Sequence, residues 1–214
     1  PISDRARCSR VISSPSLPLS NPLANATTPN AAPDDTASVM PADFVTRPID
    51  PDADGAALHA IYGDAECCRY LSRPVTASVA DTIAMMREWM GRDDINWVLA
   101  DQPDGPAIGR VSIYSSGRNN IWEAACMISP AARGRNLAAR GLALAIEEAF
   151  ERRGVRRIMA DVDPDNIPSA RVFEKLGFGY EGRLRGEWET HIGIRDSLIY
   201  GLLREDPRPW RNWP

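Results

Sequence analysis

Long apolar runs are missing from this chain of 214 residues. No stretch approaches the roughly 20 apolar residues that a membrane helix needs, so no membrane partner is expected. An excess of positive charge is missing too. Lys and Arg total 25 against 29 Asp and Glu, for a net charge of −4, which argues against a nucleic-acid binder working by bulk charge. Cysteine is sparse: Cys8, Cys67, Cys68 and Cys126, with no CxxC pair and two adjacent. That indicates neither a disulfide framework nor a zinc site and fits a reducing, cytoplasmic compartment. The two histidines, His59 and His191, lack metal-ligand spacing, so no metal is expected. Arginines near the N-terminus are not followed by an apolar block of about 7–15 residues, which reads against a signal peptide. Asn25-Ala26-Thr27 matches a glycosylation acceptor, but in a polar segment of this composition it reads as chance.

What is present is enough apolar material for one full domain. The hydrophobic fraction is 43%, sufficient to bury a core at this length. Residues 1–41 are rich in Pro, Ser, Asn, Ala and Thr without periodicity and read as a disordered or extended arm, with Met40 a candidate native start. Residues 42–204 carry the periodic patterns of a folded domain. Residues 205–214 form a polar tail whose Trp210 and Trp213 are expected to be exposed and to dock on the body or on a second subunit, making a homodimer a candidate.

Within the domain, the stretch from Asp43 to Ile49 alternates like a first strand, and Pro48 suggests its end or an edge. Asp50 reads as an N-cap with Pro51 behind it. That helix sends Ala57, Leu58, Ile61 and Tyr62 to a core. A short helical piece follows from Ala65 to Leu71. Ser78 and Asp81 resemble a capping box opening a helix through Met90. Three hairpin-linked strands come next, near residues 96–100, 107–114 and 121–128. A long helix is expected from about Arg135 to Arg153, ended at Gly154. A fifth strand covers Arg157 to Val162, so residues 121–162 should make a parallel right-handed crossover. A short helix with Ala170, Phe173 and Leu176 on one face precedes two last strands, Gly179 to Leu184 and Ile192 to Leu203. Trp188 and His191 then fall in the intervening loop.

The rest is organised around Arg133-Gly134-Arg135-Asn136-Leu137-Ala138, between the third strand of the meander and the long helix. A helix start leaves backbone N–H groups without intrahelical partners and carries a partial positive charge. Such a junction binds phosphate, and two arginines and a glycine reinforce that reading. The plain alternative is a common Gly/Arg turn before a surface helix.

The stretch resembles the (Gln/Arg)-x-x-Gly-x-(Gly/Ala) signature of the GNAT acetyltransferase superfamily. The run from Asn166 to Phe178 resembles its second motif, Asn-x-x-Ser ending in Glu-Lys-x-Gly-Phe. Arg47-Pro48, Tyr70-Leu71 and Arg195-Asp196-Ser197-Leu198-Ile199-Tyr200 resemble the branch that acetylates N-terminal amines of ribosomal proteins, the RimJ/RimL type. The resemblance runs from about Phe44 to Leu203. It implies an α/β (α+β) fold: a mixed, mostly antiparallel sheet of six to seven strands flanked by helices, with a strand–helix–strand crossover for acetyl-CoA. Asn136 stands where the family usually has glycine, and Phe173 where many relatives have a tyrosine that protonates the leaving thiolate.

The implied reaction is direct acetyl transfer from acetyl-CoA to a primary amine, either a peptide N-terminus or a small molecule. Glu123 is the candidate general base; its alternative is a solvent-facing strand carboxylate. Ser169 is the candidate thiol acid or donor; its alternative is a first-turn serine serving backbone N–H groups. The resemblance places the pantetheine arm against Cys126 and Ile128 on a splayed strand, whose backbone also stabilises an oxyanion. It assigns the pyrophosphate to Arg133, Gly134, Arg135, Asn136, Leu137 and Ala138, and further cofactor contacts to Asn166 and Phe173. Asn166 also reads as a helix cap and Cys126 as a small buried hydrophobe. His59 reads as a helix-surface residue, and His191 as a lesser candidate for the acceptor pocket. Arg183 and Arg185 read as solvated strand-end charges. A non-catalytic acyl-CoA sensor and a protein-interaction domain using the tail and arm are the competing functions. Loops near 63–75 and 185–195 are expected to choose the acceptor.

Overall fold

The computed structural model describes residues 43–91 and 94–213. The arm of residues 1–41, with Cys8 and Met40, lies outside the described residues. Seven strands form one sheet in the order β1-β2-β3-β4-β5-β7-β6. Strand β1 (Val45–Pro48) is at one edge, so its proline leaves no central ladder bond unmade. Helix α1 (Pro51–Tyr62) starts at Asp50, whose side chain accepts from the N–H groups of Asp52 and Ala53. Helix α2 (Ala65–Cys68) is a single turn capped by Asp64. Helix α3 (Val79–Trp89) is capped by Ser78, whose hydroxyl accepts from the Asp81 N–H. The meander follows: β2 (Ile95–Ala100), β3 (Gly109–Arg118) and β4 (Ile121–Ile128). Helix α4 (Leu137–Glu147) widens into a π-helical turn, Glu148–Arg152. Strand β5 (Arg157–Val162), helix α5 (Ile167–Lys175) and the long hairpin of β6 (Gly179–Thr190) and β7 (Gly193–Leu203) complete the domain. Among the described residues no helix is long and apolar enough to cross a membrane.

Two cores sandwich the sheet. One packs α4 and α5 on one face, through Leu137, Leu142, Ile146 and Phe150 with Phe173 and Leu176. The other packs α1 and α3 on the opposite face, through Leu58, Ile61 and Met86 against Val98 and Met127. Alternation along β4 divides it between them: Trp122, Ala124, Cys126 and Ile128 face α4, whereas Met127 faces α1 and α3. Gly141 lets α4 lie close on the sheet, because a Cβ there would sit 2.8 Å from the Leu99 side chain.

Three expectations need correction. The long helix begins at Leu137, not Arg135, because Asn136 is left-handed, with φ 58 and ψ 21. Residues 185–190 are strand, not loop, and only His191 and Ile192 remain at the hairpin tip. Trp210 does dock on the body, but it is buried and not exposed: it is 1% exposed and part of the α4–α5 core. Its indole N–H donates to Glu147, and Arg208 and Arg211 beside it pair with the same carboxylate, so the charged tail carries its tryptophan inward.

Candidate active site

The crossover opens a gap in the sheet. Strands β4 and β5 are parallel and pair only at Ile121, Trp122 and Glu123. Beyond Glu123, β4 stays with β3 as far as Ile128, while β5 stays with β7. The two strands separate, and the β4 edge at Cys126–Ile128 faces the opening.

At the end of β4 the chain turns through Pro130–Ala132 and enters the glycine–arginine stretch. Gly134 has φ +84, and a Cβ built on it would meet nothing within 4 Å, so this loop faces open space. Asn136 makes no side-chain cap bond to the first turn of α4. By contrast, α1, α2, α3 and α5 each begin at a side chain that accepts from their own first-turn N–H groups. The start of α4 thus offers backbone donors and a dipole end to an anion. The arginines contribute less directly than their sequence implies. Arg135 is held by Asp101 at 2.7 Å and by Asp43, and Arg133 reaches the Cys67 sulfur at 3.2 Å. Leu137 is buried in the core.

A cavity of about 210 Å³ occupies the opening. Glu123 lines it, and Tyr114, opposite in the β3–β4 register, donates its hydroxyl to Glu123 Oε1 at 2.8 Å. Burial pushes the Glu123 carboxyl up to about 7; the Tyr114 bond opposes this, and the charge of Asp161 adds to it. Asp161 on β5 lines the same cavity and accepts from Trp188 Nε1 on β6 at 2.8 Å. Burial raises its pKa as well, against the neighbouring Ser197 hydroxyl and the Trp188 bond, with Glu187 and Asp163 adding negative charge nearby. Burial also pushes the Cys126 thiol up to about 11, so it is a protonated, apolar wall and not a nucleophile.

On the α5 side, the Asn166 side chain accepts from the Ser169 N–H at 3.3 Å, and both residues line the cavity. Phe173 closes the bottom, 2% exposed and edge-on to Phe178 at 5.2 Å. Arg195 on β7 grips the loop ahead of α5, through Asp163 at 2.7 and 2.9 Å and through Asp165. His191 lines a neighbouring polar cavity, with Nδ1 3.1 Å from the Leu71 carbonyl. His59 is half-buried: its Nδ1 lies 2.9 Å from the hydroxyl of Thr82, a fully buried residue. Arg183 pairs with Asp196. The opening thus gathers Glu123, Cys126, Asn166, Ser169 and Phe173, with the Arg133–Ala138 junction at the end of β4. Sequence reasoning missed Tyr114, Asp161 and Trp188, which no motif marks. Arg195 stood within the quoted motif but without a role.

A parted parallel strand pair with an uncapped helix start beside it is an arrangement able to receive a phosphate-bearing ligand. The acetyltransferase (GNAT) domain model matches residues 44–179, and the chain belongs to that family. It is an acyltransferase, of the N-acetyltransferase kind. A curated relative, the uncharacterized N-acetyltransferase YnaD of Bacillus subtilis, is 23% identical over 159 residues, spanning 72% of this chain and 89% of the relative. Among solved structures, a GNAT-family acetyltransferase from Bacillus anthracis matches with a TM-score of 0.69 at 21% identity, over 77% of this chain and 97% of that one. Spermidine N-acetyltransferase from Vibrio cholerae, solved in complex with CoA and spermine, matches with a TM-score of 0.66 at 17% identity, over 77% and 97%. Both share the fold.

Proposed function

We infer that this chain transfers an acetyl group from acetyl-CoA to a primary amine, with Glu123 as general base. The observation that carries the reading is Glu123 itself: a carboxyl brought to about 7, in the opening where β4 leaves β5. A base of that strength suits proton removal near neutral pH. An α-amine has a pKa of about 8 and a lysine amine about 10.4, so the nucleophile must lose a proton before it attacks.

The residues present fit the coenzyme. The open loop at Gly134 and the uncapped N–H groups after Asn136 would hold its phosphates. The β4 edge at Cys126 to Ile128 would hold the pantetheine arm, with Asn166 opposite and the Phe173 ring below. Acetyl-CoA supplies an acyl group already activated as a thioester. Glu123 takes one proton from the acceptor nitrogen. That nitrogen bonds the acetyl carbon as the carbon–sulfur bond breaks, and its second proton ends on the sulfur. Ser169 serves as hydrogen-bond donor and proton relay at the sulfur, the role that Phe173 cannot fill.

The acceptor is a peptide N-terminal amine or a small-molecule amine, and the resemblance to the RimJ/RimL type favours the former. Titration calorimetry with acetyl-CoA, followed by thiol release across a panel of peptides and metabolite amines, tests the reading. Heat on binding and CoA release with at least one amine are expected. Tight binding with no release for any acceptor would favour the acyl-CoA sensor instead.

A further inference from the structure

We propose that Asp161 admits the acceptor to this site, receiving it as an ammonium ion and so favouring aliphatic amines basic enough to arrive protonated over weakly basic ones. This rests on the transferase reading and adds the acceptor's anchor to it.

The carboxylates lining the cavity are of two kinds. Asp163 is matched by Arg195 and Asp196 by Arg183. Asp161 and Glu123 have no Lys, Arg or His nitrogen within 4.0 Å among the described residues; their hydrogen-bond donors are neutral, the Trp188 indole and the Tyr114 phenol. Burying a carboxylate without a counter-charge is costly. The site retains two such groups on facing sides of one opening. Glu123 sits opposite Met159 in the β4–β5 register, and Asp161 lies two residues further on, on the same face. Glu187 adds negative charge from β6. Arg118, the cation acting on Glu123, directs its guanidinium at the Met159 sulfur. A cation entering the cavity gains from both carboxylates and removes the mismatch.

The two acids then divide the work. Trp188 fixes the Asp161 carboxylate, which holds the ammonium nitrogen and keeps its own charge throughout. Glu123 accepts the proton that the nitrogen gives up. A weakly basic arylamine or an alcohol gains nothing from Asp161.

The test uses Asp161→Asn in the full chain, with Trp188→Phe as a second variant that keeps the carboxylate but removes its donor. Thiol release is followed with a series of alkylamines and with an arylamine, between about pH 6 and 9. With Asp161→Asn, KM for alkylamines should rise at least about tenfold, the effect of losing one charged hydrogen bond, while arylamine KM and acetyl-CoA binding hold. The acid limb of kcat/KM should also move to lower pH, because Glu123 loses a negative neighbour. Trp188→Phe should move alkylamine KM the same way by less. Equal changes for both acceptor types, or no change, would overturn the proposal. Binding of hexylammonium against 1-hexanol, measured calorimetrically, is the arm that stands without turnover. Wild type should favour the ammonium and Asp161→Asn should not; no preference in wild type also overturns it. A retained preference without any thiol release would strike only the transfer reading.

Discussion

Two strand-to-helix passages border the opening, and each ends in asparagine. Between β4 and α4, Asn136 sits at φ 58, ψ 21 and makes no side-chain bond to the helix it begins. Between β5 and α5, Asn166 sits at φ −84, ψ 60 and accepts from the Ser169 N–H. The first uses asparagine for its tolerance of the left-handed region, the second for its side-chain oxygen. A passage that satisfies its own helix start becomes rigid and can present side chains such as Ser169. One that leaves its N–H groups open presents backbone to a ligand. The β5–α5 passage is further clamped by Arg195, whereas at the other passage Arg135 is drawn aside by Asp101 and Asp43.

The largest expected effect separates chemistry from binding at the head of the first passage. Glu123→Gln should lower kcat by about 10²–10⁴ and leave acetyl-CoA affinity unchanged, read by thiol release and calorimetry. In wild type, kcat/KM should rise with pH through about 7, as the Glu123 carboxyl ionises, and that limb should vanish in the variant. Stability should respond with the opposite sign. A carboxyl whose pKa is raised in the folded state binds its proton more tightly there. Wild type should therefore lose stability as pH climbs from about 4.3, the ordinary glutamate value, toward 7. Melting temperature against pH should be flatter over that window in Glu123→Gln.

Next in size is the clamp on the second passage. Arg195→Leu leaves Asp163, with its side chain 8% exposed, charged and without its cation. Urea denaturation at pH 7 should show a loss of about 2–3 kcal/mol. Arg195 holds the Asp163 carboxyl below the usual range, so its contribution is present above about pH 4 and should fade as pH falls below it. If the loss persists unchanged at pH 3, the pair is not its cause.

The smallest effects test the asparagines against each other. Asn136→Gly should be neutral or stabilising by up to about 1 kcal/mol, since glycine adopts a positive φ without strain. Asn166→Ala should cost about 1 kcal/mol by removing a cap. A loss of stability in Asn136→Gly with none in Asn166→Ala, read by chemical denaturation, would break the comparison.

Much of this was legible from local chemistry. Asp50, Ser78 and Asn166 cap their helices as their spacing implies, and the crossover from β4 to β5 is parallel. The mistakes have local causes too. Trp188 reads as a loop residue because the β6–β7 register shifts between Leu184 and Trp188, where Gly186 takes φ +60 and breaks the alternation. Trp210 reads as exposed because its neighbours are arginines, and their partners Glu147 and Glu151 lie some 60 residues earlier.

The sequence by itself determined the order of elements, the caps and the family, because each depends on residues close together in the chain. Only the tertiary structure decided which charges face one another. Tyr114, Glu123, Asp161 and Trp188 sit on four different strands, and no local pattern joins them. They meet because the β4–β5 ladder ends after three pairs and the sheet carries β6 and β7 past the gap. The environment that raises the Glu123 and Asp161 carboxyls exists only once that gap has formed.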